Sequence, residues 1–270
     1  WHRNSKLLLK SLSMLPVLLV FCSCEELITV NLKNEHPKVV IECFITNADR
    51  PIFVKITKSQ DYFNQNDFTP VKNAIVQLEY LTVKEKLIEK GDGYYMAPRT
   101  IGVSGRNYTL KIVTEGEAFG ATVVVPPSVP IDKVYFQHGL FQNDSLNVVV
   151  EFRDPVKTEN YYRVKLYRNG RYAVNDYYLL TDAFSDGEKM VAPVYYRHFA
   201  PGDTVVVELL NLERSTWRYF KGLSESVQQG INSQAPGDPP SNLSGGALGI
   251  LGAWGTSTYR VILPQSGVKK

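Results

Sequence analysis

In Tyr108-Thr-Leu-Lys-Ile-Val113 large apolar side chains recur at every second position, as they do in a strand with one face on a core. The same short β-rich runs, broken by turn residues, continue along the chain from Lys38 and predict an all-β fold. In the first half they predict strands over Lys38–Thr46, Ile52–Lys58, Ala74–Leu81, Lys86–Glu89, Asn107–Thr114 and Ala118–Val125. In the second half they predict Ile131–His138, Ser145–Phe152, Tyr161–Tyr167, Tyr172–Leu179, Val191–Arg197, Thr204–Leu212 and a last strand through Gly252–Leu263. Asn169-Gly170 suits the two positive-φ positions of a type I′ turn and predicts a hairpin. One segment has helical period: Trp217, Phe220, Leu223 and Val227 form an apolar stripe within Glu213–Gln229, expected to dock on a sheet.

Pro126-Pro-Ser-Val-Pro130 interrupts this pattern, because proline cannot continue a sheet ladder or a helix. The expected organisation is two β-sandwich-like domains, 38–126 and 131–264, the second carrying the amphipathic helix. A semi-rigid linker at 127–130 joins them, and a tail follows at 265–270.

The N-terminus reads differently. A basic stretch through Lys10 precedes Ser11–Cys24, 14 residues without a charge, shorter than the roughly 20 needed to span a bilayer as a helix. This is the grammar of an export signal, expected over 1–23. Phe21-Cys-Ser-Cys24 resembles the bacterial lipobox, with Ser23 as the small residue and Cys24 as the acceptor of the lipid; Cys22, behind bulky Phe21, is the competitor. Residues 24–37 are then a tether. Cys43 would be the one remaining thiol, which excludes an intramolecular disulfide in the mature chain. Its apolar run, Val39–Ile45, makes it a buried packing residue.

Composition narrows the function classes. With 270 residues and 44% apolar content there is material for a substantial core. The 30 Lys+Arg against 27 Asp+Glu give a formal charge of +3, too dispersed for a nucleic-acid surface. The four histidines, His2, His36, His138 and His198, stand in no recognised catalytic motif. There is no His-Glu-x-x-His, Cys-x-x-Cys, Gly-x-Ser-x-Gly or phosphate-binding glycine loop. The expectation is a binding protein without cofactor or catalytic residues. Asp61, Asn64, Asn66 and Asp67 form an oxygen-rich cluster but lack the glycine and closing glutamate of an EF-hand; a solvated loop is expected. Consecutive tyrosines place one ring on each face of a strand, and outward rings beside arginines suit recognition. Tyr161, Arg163, Tyr167, Tyr177 and Tyr195 are the candidate ligand or partner surface.

Three stretches resemble a Bacteroidota lipoprotein family of unknown function, DUF4249. They are Cys24–Leu32 with Pro37–Thr46; Thr57–Phe63, Thr69–Leu78, Gly91–Tyr95 and Gly105–Leu110; and Gly202–Leu210 with Trp217–Phe220 and Pro239–Gly249. The middle block also resembles the carboxypeptidase regulatory-like domain, a transthyretin-like β-sandwich without catalytic activity. The resemblance implies an outer-membrane lipoprotein that assists a TonB-dependent transporter. A surface adhesin or glycan-binding module, and a hydrolase, are the alternatives. Glu25-Glu26, just behind the acceptor cysteine, resemble the signal that sends such lipoproteins to the cell surface.

Overall fold

The computed structural model describes residues 37–60, 68–138, 146–173, 177–196, 199–231 and 237–264. Cys24, Glu25, Glu26 and the Asp61–Asp67 cluster lie outside them. The described chain is all-β with one helix. Its strands are β1 (Val39–Thr46), β2 (Phe53–Lys58), β3 (Ile75–Tyr80), β4 (Val83–Lys86), β5 (Ile88–Gly91), β6 (Tyr94–Met96), β7 (Asn107–Thr114) and β8 (Glu117–Val124). The second half adds β9 (Ile131–His138), β10 (Leu146–Arg153), β11 (Tyr161–Arg168), β12 (Arg171–Tyr172), β13 (Tyr178–Thr181), β14 (Lys189–Tyr196) and β15 (Thr204–Leu212). Helix α1 (Arg214–Ile231) and strand β16 (Leu248–Ile262) complete it.

A nine-stranded sheet in the order β12-β11-β15-β16-β1-β2-β6-β5, with β13 also on β11, runs through both halves. Two smaller sheets, β4-β3-β7-β8 and β14-β10-β9, accompany it. Residues at one parity of the long sheet build two cores. Ile41, Cys43 and Ile45 with Leu251 and Ala253 meet Val76, Leu78, Leu110 and Ile112 in the first. Val164, Leu166, Val205 and Val207 meet Val148, Val150 and Phe152 in the second. Each half is therefore sandwich-like, as the alternation requires.

The two halves predicted on either side of the prolines share one sheet. Strand β16 belongs to both, because it pairs in parallel with β1 from Val40↔Leu248 to Thr46↔Trp254 and antiparallel with β15 from Trp254↔Leu212 to Ile262↔Thr204. The proline segment does change cores, with Val125 buried in the first and Val129 in the second. It is fixed to the shared sheet by Asn211, whose Nδ2 donates to the Pro127 carbonyl at 3.0 Å. A Cβ at Gly255 would come within 2.6 Å of Pro127 O, so the segment lies flush on β16.

Other elements differ locally. The run Lys86–Glu89 is split between sheets: β4 pairs with β3 and β5 with β6, and buried Leu87 turns the chain between them. Tyr172–Leu179 is likewise two strands, β12 and β13, both on β11. The Asn169-Gly170 hairpin forms with both residues at positive φ, 48° and 80°. Cys43 is 1% exposed and unpaired, and burial pushes its thiol up to about 12.

Helix α1 starts on Glu213, whose carboxylate accepts the N–H groups of Ser215 (2.8 Å) and Thr216 (3.2 Å), satisfying two of the donors a helix start leaves unpaired. Ala253 on β16 fixes the entry. Its carbonyl accepts the Glu213 N–H at 2.9 Å and its N–H donates to Thr216 Oγ1 at 2.9 Å. Among the described residues no helix is long and apolar enough to cross a membrane.

Candidate functional site

The outer face of the long sheet is partly covered by α1. Phe220 of the helix packs with Phe44, Tyr161, Leu210, Leu212, Ile250 and Trp254. Three of the five candidate surface residues lie under the helix. Tyr161 is 7% exposed, its ring 4.9 Å from that of Trp217. Tyr177 stacks on Phe220 at 5.5 Å. The Arg163 guanidinium carbon lies 4.4 Å from the Tyr177 ring and 4.6 Å from that of Phe220, with Nη2 donating to Tyr172 Oη at 3.3 Å. These rings and this cation fasten the helix to the sheet. Arg163 Nε and Trp217 Nε1 are buried there without hydrogen-bond partners.

Tyr167 and Tyr195 sit elsewhere. Tyr195 is 44% exposed on β14, in another sheet. Tyr167 stays on the outer face, where its hydroxyl donates to Glu208 at 3.0 Å. Burial, with Glu208 alongside, pushes this phenol up to about 12. Glu208 also pairs with Lys165 at 3.3 Å, and the Lys165 ammonium lies 5.2 Å from the Tyr167 ring. The five residues thus do not form one surface.

Next to the helix the same face opens into a groove of about 530 Å³, in the size range of small-ligand sites. Its lining comprises Phe44, Phe53, Tyr94 and Trp254, the cations Arg50, Lys55 and Lys165, and Glu42 and Pro51. Strand parity explains the set. Glu42 and Phe44 alternate with core residues Ile41, Cys43 and Ile45 on β1. Lys55 stands opposite Glu42 on one side and Tyr94 on the other. Phe53 (43%) and Tyr94 (40%) expose much of their rings, whereas Trp254 is 8% exposed and held by Phe44 at 5.2 Å. Lys55 Nζ lies 5.5 Å from the Tyr94 ring. Among the described residues no ion pair engages Arg50 or Lys55. Sequence reading missed these residues; the available signal was the aromatic and charged side chains at the parity opposite the Ile and Val positions of β1 and β2.

A larger hollow, about 620 Å³, lies by Tyr80, Leu81 and Gly105. Tyr80 is its one aromatic, with Arg106 5.3 Å from the ring, and much of its wall is the turns after β3 and before β7. It offers less to a ligand than the groove.

At the far end of the second core Asp154, Asp182 and Asp186 bring carboxylate oxygens within 4.8 Å of one another. They are the group of described residues that could ligate a metal ion. Asp154 takes the Tyr162 hydroxyl and the Gly187 N–H (3.0 Å), Asp182 the Asn160 N–H (2.8 Å) and Asp186 the Lys157 N–H (2.7 Å). These bonds close the loop on itself. Burial, reinforced by Asp154, raises the Asp182 carboxyl above the usual carboxylate range.

A search of curated proteins finds no match. Residues 25–260 match the family described as domain of unknown function (DUF4249), and the chain belongs to that family.

Proposed function

We propose that the protein is a non-catalytic binding component of the bacterial cell envelope, held at the outer membrane by a lipid on Cys24 and serving a TonB-dependent transport system. The observation that carries the binding role is the groove, where aromatic side chains line a hollow on the sheet face together with Arg50 and Lys55, which have no ion pair among the described residues. Among the described residues its lining holds one carboxylate, Glu42, and no histidine, serine or cysteine, so the Ser–His or Cys–His pair of many hydrolases is not assembled there. This favours a binder over the hydrolase. The likeness of the Pro70–Leu110 block to regulatory-like domains without catalytic activity supports the same reading.

The envelope setting draws on the basic and apolar leader that ends at Ser23-Cys24 and on the Glu25-Glu26 pair behind it. Extraction of native membranes in mild detergent, followed by affinity isolation of this chain, tests the association. Recovery of a transporter barrel in stoichiometric amount is the expected result; repeated recovery of the chain alone overturns it. Exposed aromatics in the groove also favour the second reading, a surface module that recognises saccharides, and binding by the isolated chain separates the two.

A further inference from the structure

We propose that the groove binds an acidic carbohydrate, a saccharide bearing carboxylate or sulfate groups; the inference rests on the reading of the groove as a ligand site. Four observations carry it. Phe53 and Tyr94 are 43% and 40% exposed on a face where Tyr161, Leu210, Leu212 and Ile250 are buried beside the helix. Phe44 and Trp254 form a floor that cannot swing away, because Phe220 stacks on Phe44 at 5.8 Å and lies 6.2 Å from Trp254. Cations outnumber acids in the lining, with Arg50, Lys55 and Lys165 against Glu42. Of these cations Lys165 is committed to Glu208 at 3.3 Å, while Arg50 and Lys55 have no ion pair among the described residues.

The physical requirements select the ligand class. A purely apolar ligand binds where it can bury most of its surface, which an open groove on a sheet face does not allow. An extended peptide adds to a free strand edge, but β1, β2 and β16 beneath the groove each have neighbours on both sides, so their backbone groups are taken. A pyranose ring lays its C–H face on an aromatic ring while its hydroxyls stay in water, and this suits half-exposed rings in an open site. An anionic substituent on the sugar then meets the Arg50 guanidinium and the Lys55 ammonium in charge-assisted hydrogen bonds. The contact of Lys55 with Tyr94, 5.5 Å to the ring centroid, keeps its charge beside a stacking face.

The test uses the full chain in neutral detergent micelles and short oligogalacturonate, its methyl-esterified form and chondroitin sulfate fragments, with oligoglutamate as a peptide control. Calorimetry is expected to show binding of the acidic saccharides at least about tenfold tighter than of the methyl ester, a free-energy difference near 1.4 kcal/mol. The affinity should fall as salt screens the charges. The double variant Arg50→Gln/Lys55→Gln, which leaves both cores untouched, should weaken acidic binding about tenfold while the chain stays folded, as read by an unchanged cooperative thermal transition.

Equal affinity for the methyl ester, equal affinity for oligoglutamate, or no binding of any acidic saccharide overturns the proposal. Binding of neutral saccharides alone, lost in Phe53→Ala/Tyr94→Ala, overturns the acidic class and leaves the groove as a ligand site. No saccharide binding while a transporter barrel co-purifies overturns the inference and leaves the envelope role standing.

Discussion

The ring of Phe220 on the helix stacks on that of Phe44 on β1, their centroids 5.8 Å apart and their planes 22° from parallel. The helix thereby sets the groove floor as well as covering the sheet. Phe220 is 5% exposed, so Phe220→Ala is expected to cost about 3–5 kcal/mol of stability. Urea denaturation measures this. A loss below about 1 kcal/mol would mean that the sheet face repacks without the helix.

Asp203 responds to pH in the opposite sense from Asp182. Burial opposes its charge, but hydrogen bonds from the Arg168 guanidinium (2.6 Å), the Ala200 N–H (2.6 Å) and Asn169 Nδ2 (2.7 Å) outweigh that and hold its carboxyl below the usual range. The folded chain binds this proton less tightly than the unfolded one. Its contribution is therefore present above the ordinary carboxylate range, near about pH 4, and is lost as pH falls through the lowered value. Asp203→Asn should destabilise the fold at neutral pH by about 1–3 kcal/mol, with the gap to wild type closing in acid. A gap that is constant with pH would exclude the charge as its cause.

For Asp182 the folded chain holds the proton more tightly, because burial and Asp154 disfavour the carboxylate. This group favours the fold below about pH 4, and that contribution is lost as pH rises through the raised value. Asp182→Asn keeps an oxygen for the Asn160 N–H and is expected to be at least as stable as wild type at neutral pH. Denaturation midpoints across the acid range decide this; a variant clearly weaker at neutral pH would show that the charge itself is needed.

Cys43, 1% exposed with its thiol raised to about 12, should resist alkylation in the native state and react only on opening of the first core. Peptide mapping after iodoacetamide treatment tests this. Rapid labelling of Cys43 in native conditions would show that β1 detaches from its neighbours.

Cys24→Ala is expected to abolish lipid attachment and Cys22→Ala to leave it intact, as read by mass spectrometry of the mature N-terminus. An unmodified Cys24 with the leader still attached would remove the anchor from the proposal. Protease shaving of intact cells, with Glu25→Ala/Glu26→Ala beside wild type, then reports whether the acidic pair directs surface display.

Strand identity was legible where one face alone is buried: Asn107–Thr114 alternates in burial along its length, and in sequence as far as Ile112. It was less so for β16, whose residues Gly249–Gly255 are buried on both faces, because a strand with cores on both sides does not alternate. The start of that strand was placed at Gly252, four residues late. The run at Lys86 hid a change of sheet, since a strand's partner is not written in its own residues. The tyrosine candidates are scattered for a related reason. Parity tells which rings share a face, but only the docking of α1 decides that Tyr161 and Tyr177 are covered while Phe53 and Tyr94 stay open.

The parallel pairing of β1 with β16 sets an order of events in the life of the chain. The strand that opens the first core has its parallel neighbour about two hundred residues on, starting at Val40 and Leu248. Contacts of such sequence separation form slowly, because a long loop must close before they return any energy. During synthesis β1 therefore waits with an exposed edge until β16 has been made. A chain ending before Leu248 would leave β1 and β15 each without their shared neighbour, so loss of the last strand opens both halves together.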